Sequence, residues 1–302
     1  MTKLKFGGYQ APASIHNRAA QHFGAGLKRR LGDKVAFELI GSVLDLGRNS
    51  GELPEMVESG ELDFCYISTV RFSKPVPELQ LFELPFVVKD RPTIIAALNG
   101  ALGKLLERRM LESTPFRALG FWDNGFRHLS AIRPIHRPED CRGLTIRTQI
   151  SDLHVECFRA LGFEPLPVDV KVFVDEIATG KYQAQDNPLT NTYNFGVHHY
   201  QRYITLSSHF WGASAFICKQ STYAQWPAEV RAAVDAAAVE ANAEQHRLAA
   251  AEDEEIMAKF DQREVEIIRL KPDEHDAFVA AVQPMLAKHR KVLGEELFRY
   301  LE

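Results

Sequence analysis

Short apolar runs alternate with helical patterns along the first part of the chain. Lys3 to Gly8 reads as a strand and Ser14 to Leu31 as a helix stopped at Gly32. Val35 to Ile40 is a strand whose Val35, Phe37 and Leu39 share one face, because side chains alternate along extended backbone. Glu52 to Ser59 is a short helix stopped at Gly60, and Leu62 to Ser68 an apolar strand. This β-α-β-α-β order predicts a mostly parallel sheet. Pro75, Pro77 and Pro85 interrupt regular structure, and Pro92 opens a helix from Thr93 to Glu112. Phe116 to Trp122 is another strand, after which Asp123-Asn124-Gly125 spells a turn.

The same order returns further on. Gly143 to Thr148 is a strand that ends on Arg147 and Thr148, and Ser151 caps a helix from Asp152 to Leu161. Phe163 to Val168 is a strand, Val170 to Thr179 a helix closed by Gly180, and Tyr182 to Gln185 a strand ending on Asp186 and Asn187. Ligands of open α/β sheets sit outside the carboxyl ends of the strands, so Arg147 and Asn187 fall on one edge. An arginine there suits an anion, since its planar fork matches a carboxylate with two parallel hydrogen bonds. The chain crosses between domains near Asn124 and again near Ser214, which predicts a hinge and a ligand cleft between lobes. Pro227 to Phe260 has no glycine and no internal proline, and an alanine-rich helix of that length is about 50 Å long. It is read as a brace across both lobes; the alternative is two helices parted at Glu252-Asp253-Glu254-Glu255. Asp273 to Leu293 is a last helix. The lobes are read as residues 1–123 plus 212–260 and residues 124–211, with 261–302 a C-terminal helical segment packing on them.

Composition narrows the class. A chain of 302 residues, 45% hydrophobic, can bury a large core and predicts two domains. The net charge of -4 argues against nucleic-acid binding. The basic Lys28-Arg29-Arg30 ends a helix, where cations are favoured. No apolar run is long enough to span a bilayer. Met1-Thr2 leads straight into the first strand with no signal peptide, so either the protein is cytoplasmic or a leader was replaced by a start codon. Cys65, Cys141, Cys157 and Cys218 lack C-x-x-C spacing and read as buried structural thiols. No nucleophile elbow, H-E-x-x-H or P-loop occurs, and no cofactor is implied. Gly24-Ala25-Gly26 lies inside a helix and lacks a third glycine. His198 and His199 would point to different helix faces, which argues against a metal site, and His16 and His22 read as solvated.

Taken in order, Leu46-Gly47, the Glu52 to Gly60 helix, Leu62-Asp63-Phe64, Leu84-Pro85-Phe86, Gly125-Phe126-Arg127, the Gly143 to Thr148 strand, Leu161-Gly162-Phe163 and Asp186-Asn187-Pro188 cover nearly the whole chain. With these the chain resembles the extracytoplasmic solute-binding proteins of tripartite ATP-independent periplasmic (TRAP) transporters, of the dicarboxylate-binding DctP type. The resemblance implies a two-lobed periplasmic-binding-protein fold with a long bracing helix, closing on an organic acid like a flytrap. It implies that Arg147 makes the bidentate salt bridge to the ligand carboxylate, that Arg127 adds a second contact, and that Asn187 orients a neighbouring oxygen. It also implies a periplasmic protein, small and large membrane subunits as partners, and a monomer. Gln183-Ala184 stands where the family has Asp-Gly, and Val170 where an aromatic is frequent, with Phe173 one turn deeper and not counted as a ligand contact.

The rest of the pocket is expected from strand ends. Tyr9 ends the first strand, Arg48 and Asn49 follow the second, and Ser68 and Thr69 end the third. Asn124 lies at one crossing, and His209 and Trp211 at the other. Aromatic surface favours an apolar or planar ligand body, so the expected ligand is a hydroxy-, keto- or aromatic acid, with a sugar acid as the alternative. The rival classes are a cytoplasmic enzyme acting on a carboxylate, an effector sensor, and the binding protein of an ATP-driven importer.

Overall fold

The structure is a computed structural model that describes residues 2–261 and 263–302. Its strands are β1 (Thr2–Gly7), β2 (Val35–Ile40), β3 (Phe64–Ser68), β4 (Phe116–Ala131), β5 (Thr145–Thr148), β6 (Glu164–Pro167), β7 (Ala184–Pro188), β8 (Tyr203–Lys219) and β9 (Glu266–Ile268). Two compact units emerge. The first comprises Met1–Val76, Ile95–Asp123 and Ala213–Ala251, and the second Pro77–Ile94, Asn124–Gly212 and Glu252–Glu302. β4 and β8 pass from one unit into the other, as does the helix Ala228–Met257.

In the first unit β1 lies between β2 and β3 and runs parallel to both, with Leu4 opposite Phe37 and Phe6 opposite Phe64. β3 is antiparallel to the second half of β8, from Phe64 opposite Cys218 to Ser68 opposite Ser214. Helix Ile15–Leu31 starts where the Ser14 side chain accepts from Asn17 N at 3.2 Å, satisfying one of the otherwise orphaned first-turn amides. Its Phe23 packs edge-on against Phe64 at 5.0 Å and Phe216 at 5.1 Å, and Phe6 lies 5.2 Å from Phe216. These rings are fully buried and form the core.

The second unit repeats the plan. β5 lies between β6 and β7, parallel to both, and β7 is antiparallel to the second half of β4. β9 pairs with the start of β8, Tyr203 to Thr205. Lys288 and His289 of helix Pro272–Leu293 hold Glu156 of helix Asp152–Ala160 at 2.9 and 2.8 Å. These contacts explain why 261–302, expected as a separate segment, groups with this unit. Residues 77–94 group here as well: Ser151 Oγ donates to the Glu83 carboxylate, and Phe86 N donates to His209 O at 2.8 Å.

Two local expectations change, and the long helix holds. No turn forms at Asp123-Asn124-Gly125, since β4 continues through it. The backbone N–H and C=O of Asp123 are instead taken by the amide of Gln245, at 2.8 and 2.6 Å. The helix expected from Thr93 to Glu112 is two, Arg91–Leu98 and Ala101–Ser113, parted at Asn99-Gly100. The run from Pro227 is one helix, Ala228–Met257, without a break at its acidic stretch, where Asp253 pairs with Arg91 at 3.0 Å. All four cysteines are buried and free. No helix among the described residues is long and apolar enough to cross a membrane.

Candidate functional site

Because β6 and β7 flank β5 on opposite sides, the carboxyl end of β5 is where an open α/β sheet takes a ligand. Arg147 stands there, opposite Leu166 on one side and Gln185 on the other. It is buried, at 3% exposure. Its Nε and Nη2 donate to Val168 O at 3.2 and 2.9 Å, and its guanidinium carbon lies 5.3 Å from the centre of the Phe173 ring. A carbonyl and an aromatic face thus fix the plane of the fork. Phe173 is fully buried against Tyr182, Ile177 and Val197, so it is a firm platform. Sequence reasoning set it aside; its place one turn into the helix after β6 was the available signal.

Arg127 lies on β4 opposite Pro188, and Leu129 opposite Asp186, so Arg127 and Asp186 are diagonal neighbours. Arg127 Nε donates to the Asp186 carboxylate, and its Nη2 reaches Asp186 O at 2.5 Å and Asn187 Oδ1 at 3.4 Å. Burial works against the charge on Asp186, but Arg127 and His209 outweigh it and hold the carboxyl well below the usual carboxylate range. Asn187 Nδ2 donates to Gln185 Oε1 at 2.5 Å, and Gln185 in turn donates to Ser130 Oγ at 2.7 Å. Arg127, Asn187 and His209 are therefore gathered around Asp186, which sequence reasoning did not name as a site residue. His209 Nε2 lies 3.5 Å from the Asp186 carboxylate, with its Nδ1 2.8 Å from Ser207 Oγ. Trp211 packs edge-on to Phe82 at 5.5 Å, and its buried Nε1 has no hydrogen-bond partner among the described residues. Asn124 is buried beside Gly212.

Buried histidines line the same unit. Burial pushes His128 and His154 down to about 3, so both are neutral near pH 7. His154 stacks on Phe210 at 4.3 Å, and His128 Nδ1 accepts from Ser208 N at 3.2 Å. Ser208 itself has φ 46, a left-handed kink in β8 just before His209. His198 and His199, expected on different faces, bring their rings within 4.0 Å, because His198 stacks on Tyr193 within a tight 3₁₀ turn.

The remaining candidates belong to the first unit. Tyr9 bridges to Ser42 and donates its N–H to Tyr66 Oη at 3.3 Å. Ser68 ends β3, half-buried. Arg48 is tied to Glu52 at 2.9 Å and Glu61 at 3.3 Å, with its side chain 42% exposed. His16, expected in solvent, is 3% exposed, because Tyr66 and Trp122 cover its ring at 5.0 and 6.0 Å.

The family described as bacterial extracellular solute-binding protein, family 7 (DctP), matches residues 6–291. The C4-dicarboxylate-binding periplasmic protein DctP of Rhodobacter capsulatus is 26% identical over 97% of this chain and 88% of its own length. An uncharacterized protein of Sinorhizobium fredii is 28% identical over 97% of this chain, which spans only 53% of that relative's length. A TRAP periplasmic solute-binding protein of Sulfurospirillum deleyianum with bound succinate superposes with a TM-score of 0.92 at 26% identity, covering 99% of this chain and 97% of the other. The sugar acid binding protein of Advenella mimigardefordensis, in complex with galactonate, has a TM-score of 0.93 at 21% identity, covering 99% and 96%.

Proposed function

Because the chain belongs to family 7 of the bacterial extracellular solute-binding proteins, we propose that it captures a small organic carboxylate in the periplasm and delivers it to the membrane subunits of a TRAP transporter. One observation carries the ligand class. A buried guanidinium at the carboxyl end of β5, in a β-α-β-α-β unit, is held in plane by Val168 and Phe173. A fork so held meets a carboxylate with two charge-assisted bonds, each contributing about 1.5 to 3 kcal/mol, against the roughly 8 kcal/mol of micromolar binding. Arg127, paired with Asp186, is the second contact. Asn187, steadied by Gln185, orients a neighbouring ligand oxygen. Relatives bind such acids: the Rhodobacter capsulatus protein is named for C4-dicarboxylates and the Sulfurospirillum deleyianum protein holds succinate. The reading is of a binding protein with no catalytic residue.

A thermal-shift screen of hydroxy, keto, aromatic and sugar acids tests it. A ligand at a hundredfold excess over Kd raises stability by about 2.7 kcal/mol. The expected result is a hit that disappears in Arg147→Ala. Silence from every acid, after unfolding and refolding to strip carried-over ligand, overturns the carboxylate reading.

A further inference from the structure

A cavity of about 400 Å³ lies wholly within the second unit, and neither Arg147, Arg127 nor Asn187 lines it. That volume is in the range of small-molecule sites. Its walls come from separate elements: His128 from β4, Leu206 from β8, Asp253, Glu254 and Met257 from the end of helix Ala228–Met257, and Arg269 from just past β9. The apolar part is firm. Leu206 and Met257 are partly buried and pack on the cluster of Leu189, Ile204, Ile256, Phe260 and Val265.

The polar part carries unlike charges that the chain leaves unmatched. Asp253 is paired with Arg91 at 3.0 Å. Glu254 and Arg269 are exposed, and neither makes an ion pair among the described residues, with each other or with any other group. His128 adds a donor. It is 7% exposed, and its Nδ1 accepts from Ser208 N at 3.2 Å. Burial keeps the ring neutral near pH 7, so with Nδ1 accepting, the proton sits on Nε2. That N–H has no hydrogen-bond partner among the described residues, and buried donors are nearly always satisfied. The cavity is thus lined by a buried donor that the chain itself does not use, one cation, one anion and an apolar surface.

We propose that this cavity is a second ligand site, one that takes an α-amino acid with an apolar side chain. The ligand carboxylate meets the Arg269 guanidinium and the His128 N–H, the ammonium meets Glu254, and the side chain covers Leu206 and Met257. A plain carboxylate would gain Arg269 but bring a like charge toward Glu254. A plain amine would gain Glu254 but bring a like charge toward Arg269. A zwitterion answers both. The site stands on residues of the second unit alone and does not depend on the carboxylate reading above.

Calorimetry on the full chain tests this with L-leucine and L-methionine as probes, against 4-methylpentanoate, which lacks the amine, and 3-methylbutylamine, which lacks the carboxylate. At least one of the two amino acids is expected to bind, and each truncated probe to bind about tenfold more weakly or less. Arg269→Ala and Glu254→Gln are each expected to weaken the amino acid about tenfold or more. Both positions are exposed, so both variants are expected to keep the ligand-free melting temperature of wild type. Binding of the amino acid is expected to survive Arg147→Ala. Silence from both amino acids overturns the proposal. So does a titration that Arg147→Ala abolishes and Arg269→Ala leaves unchanged, which would place the amino acid at the end of β5. Equal affinity for 4-methylpentanoate and leucine, both lowered by Arg269→Ala, would make the cavity a general anion site and overturn the zwitterion. In every case an organic acid from the thermal-shift screen that is lost in Arg147→Ala and kept in Arg269→Ala leaves the carboxylate reading standing, so the two failures are told apart.

Discussion

At the scale of single residues, charge and placement do different work. Arg147 and Arg127 are both buried arginines, the first near the end of β5 and the second within β4; Arg147 contacts a carbonyl and an aromatic face, and Arg127 a carboxylate. Replacing Arg147 with lysine keeps the charge but loses the fork and the stacking on Phe173, and should weaken the best acid about tenfold or more by calorimetry. Unchanged affinity would remove Arg147 from the anchoring role. Arg147 and Asn187 were legible in the sequence because their residue types stand at the ends of predicted strands, whereas Arg127 was named only through the family resemblance. Asp186 was not, although it is adjacent to Asn187, because its pairing with Arg127 follows from the antiparallel register of β4 and β7 and not from spacing. His16 misled for a related reason. Helical periodicity says which residues share a face, but Tyr66 and Trp122, which cover His16, come from other strands.

At the scale of elements, the two β-α-β-α-β runs fold alike: the first strand central, the second and third on either side, and a long antiparallel strand beyond the third. That order was readable because hydrophobic alternation and helix caps such as Ser14 and Ser151 mark each piece locally. What failed was punctuation. Asn124-Gly125 carries a strong local turn signal, but Gln245 from a distant helix occupies the backbone groups of Asp123 and β4 runs straight on. Gly125 keeps its purpose within the strand, with φ at 85 and room for no comfortable Cβ, since one built there lies 3.3 Å from Pro188 Cβ. Gly125→Ala should cost about 1 to 2 kcal/mol from the left-handed backbone alone, with crowding against Pro188 adding to it. A lower guanidinium midpoint with an unchanged slope is the expected reading, and a midpoint equal to wild type contradicts it.

At the scale of the whole molecule, buried histidines make stability depend on pH. Burial depresses His16 in the first unit, and His128 and His154 in the second, to about 3. The unfolded chain binds a proton at each near 6.5, so between about 6.5 and 3 it holds more protons than the folded chain, and stability must fall as pH falls. The contribution is complete above 6.5 and exhausted below 3. By pH 5 each histidine has cost about 1.5 pH units at 1.36 kcal/mol per unit, or about 2 kcal/mol. The first unit should therefore lose about 2 kcal/mol and the second about 4, with His246 and His209 shifting in the same direction. Asp186 does not blur the window: its carboxyl is depressed, so its contribution is present above the unfolded value near 3.9 and fades only below that. Guanidinium titrations at pH 7, 6 and 5 measure the effect unit by unit, because Trp122 and Trp226 report the first unit and Trp211 the second. The second transition should move down further than the first, and His154→Phe should shrink its shift by about a third to a half. Midpoints that stay level from pH 7 to pH 5 would mean that the rings protonate inside the folded units, and that the carboxyl edges in both are wetter than their burial implies.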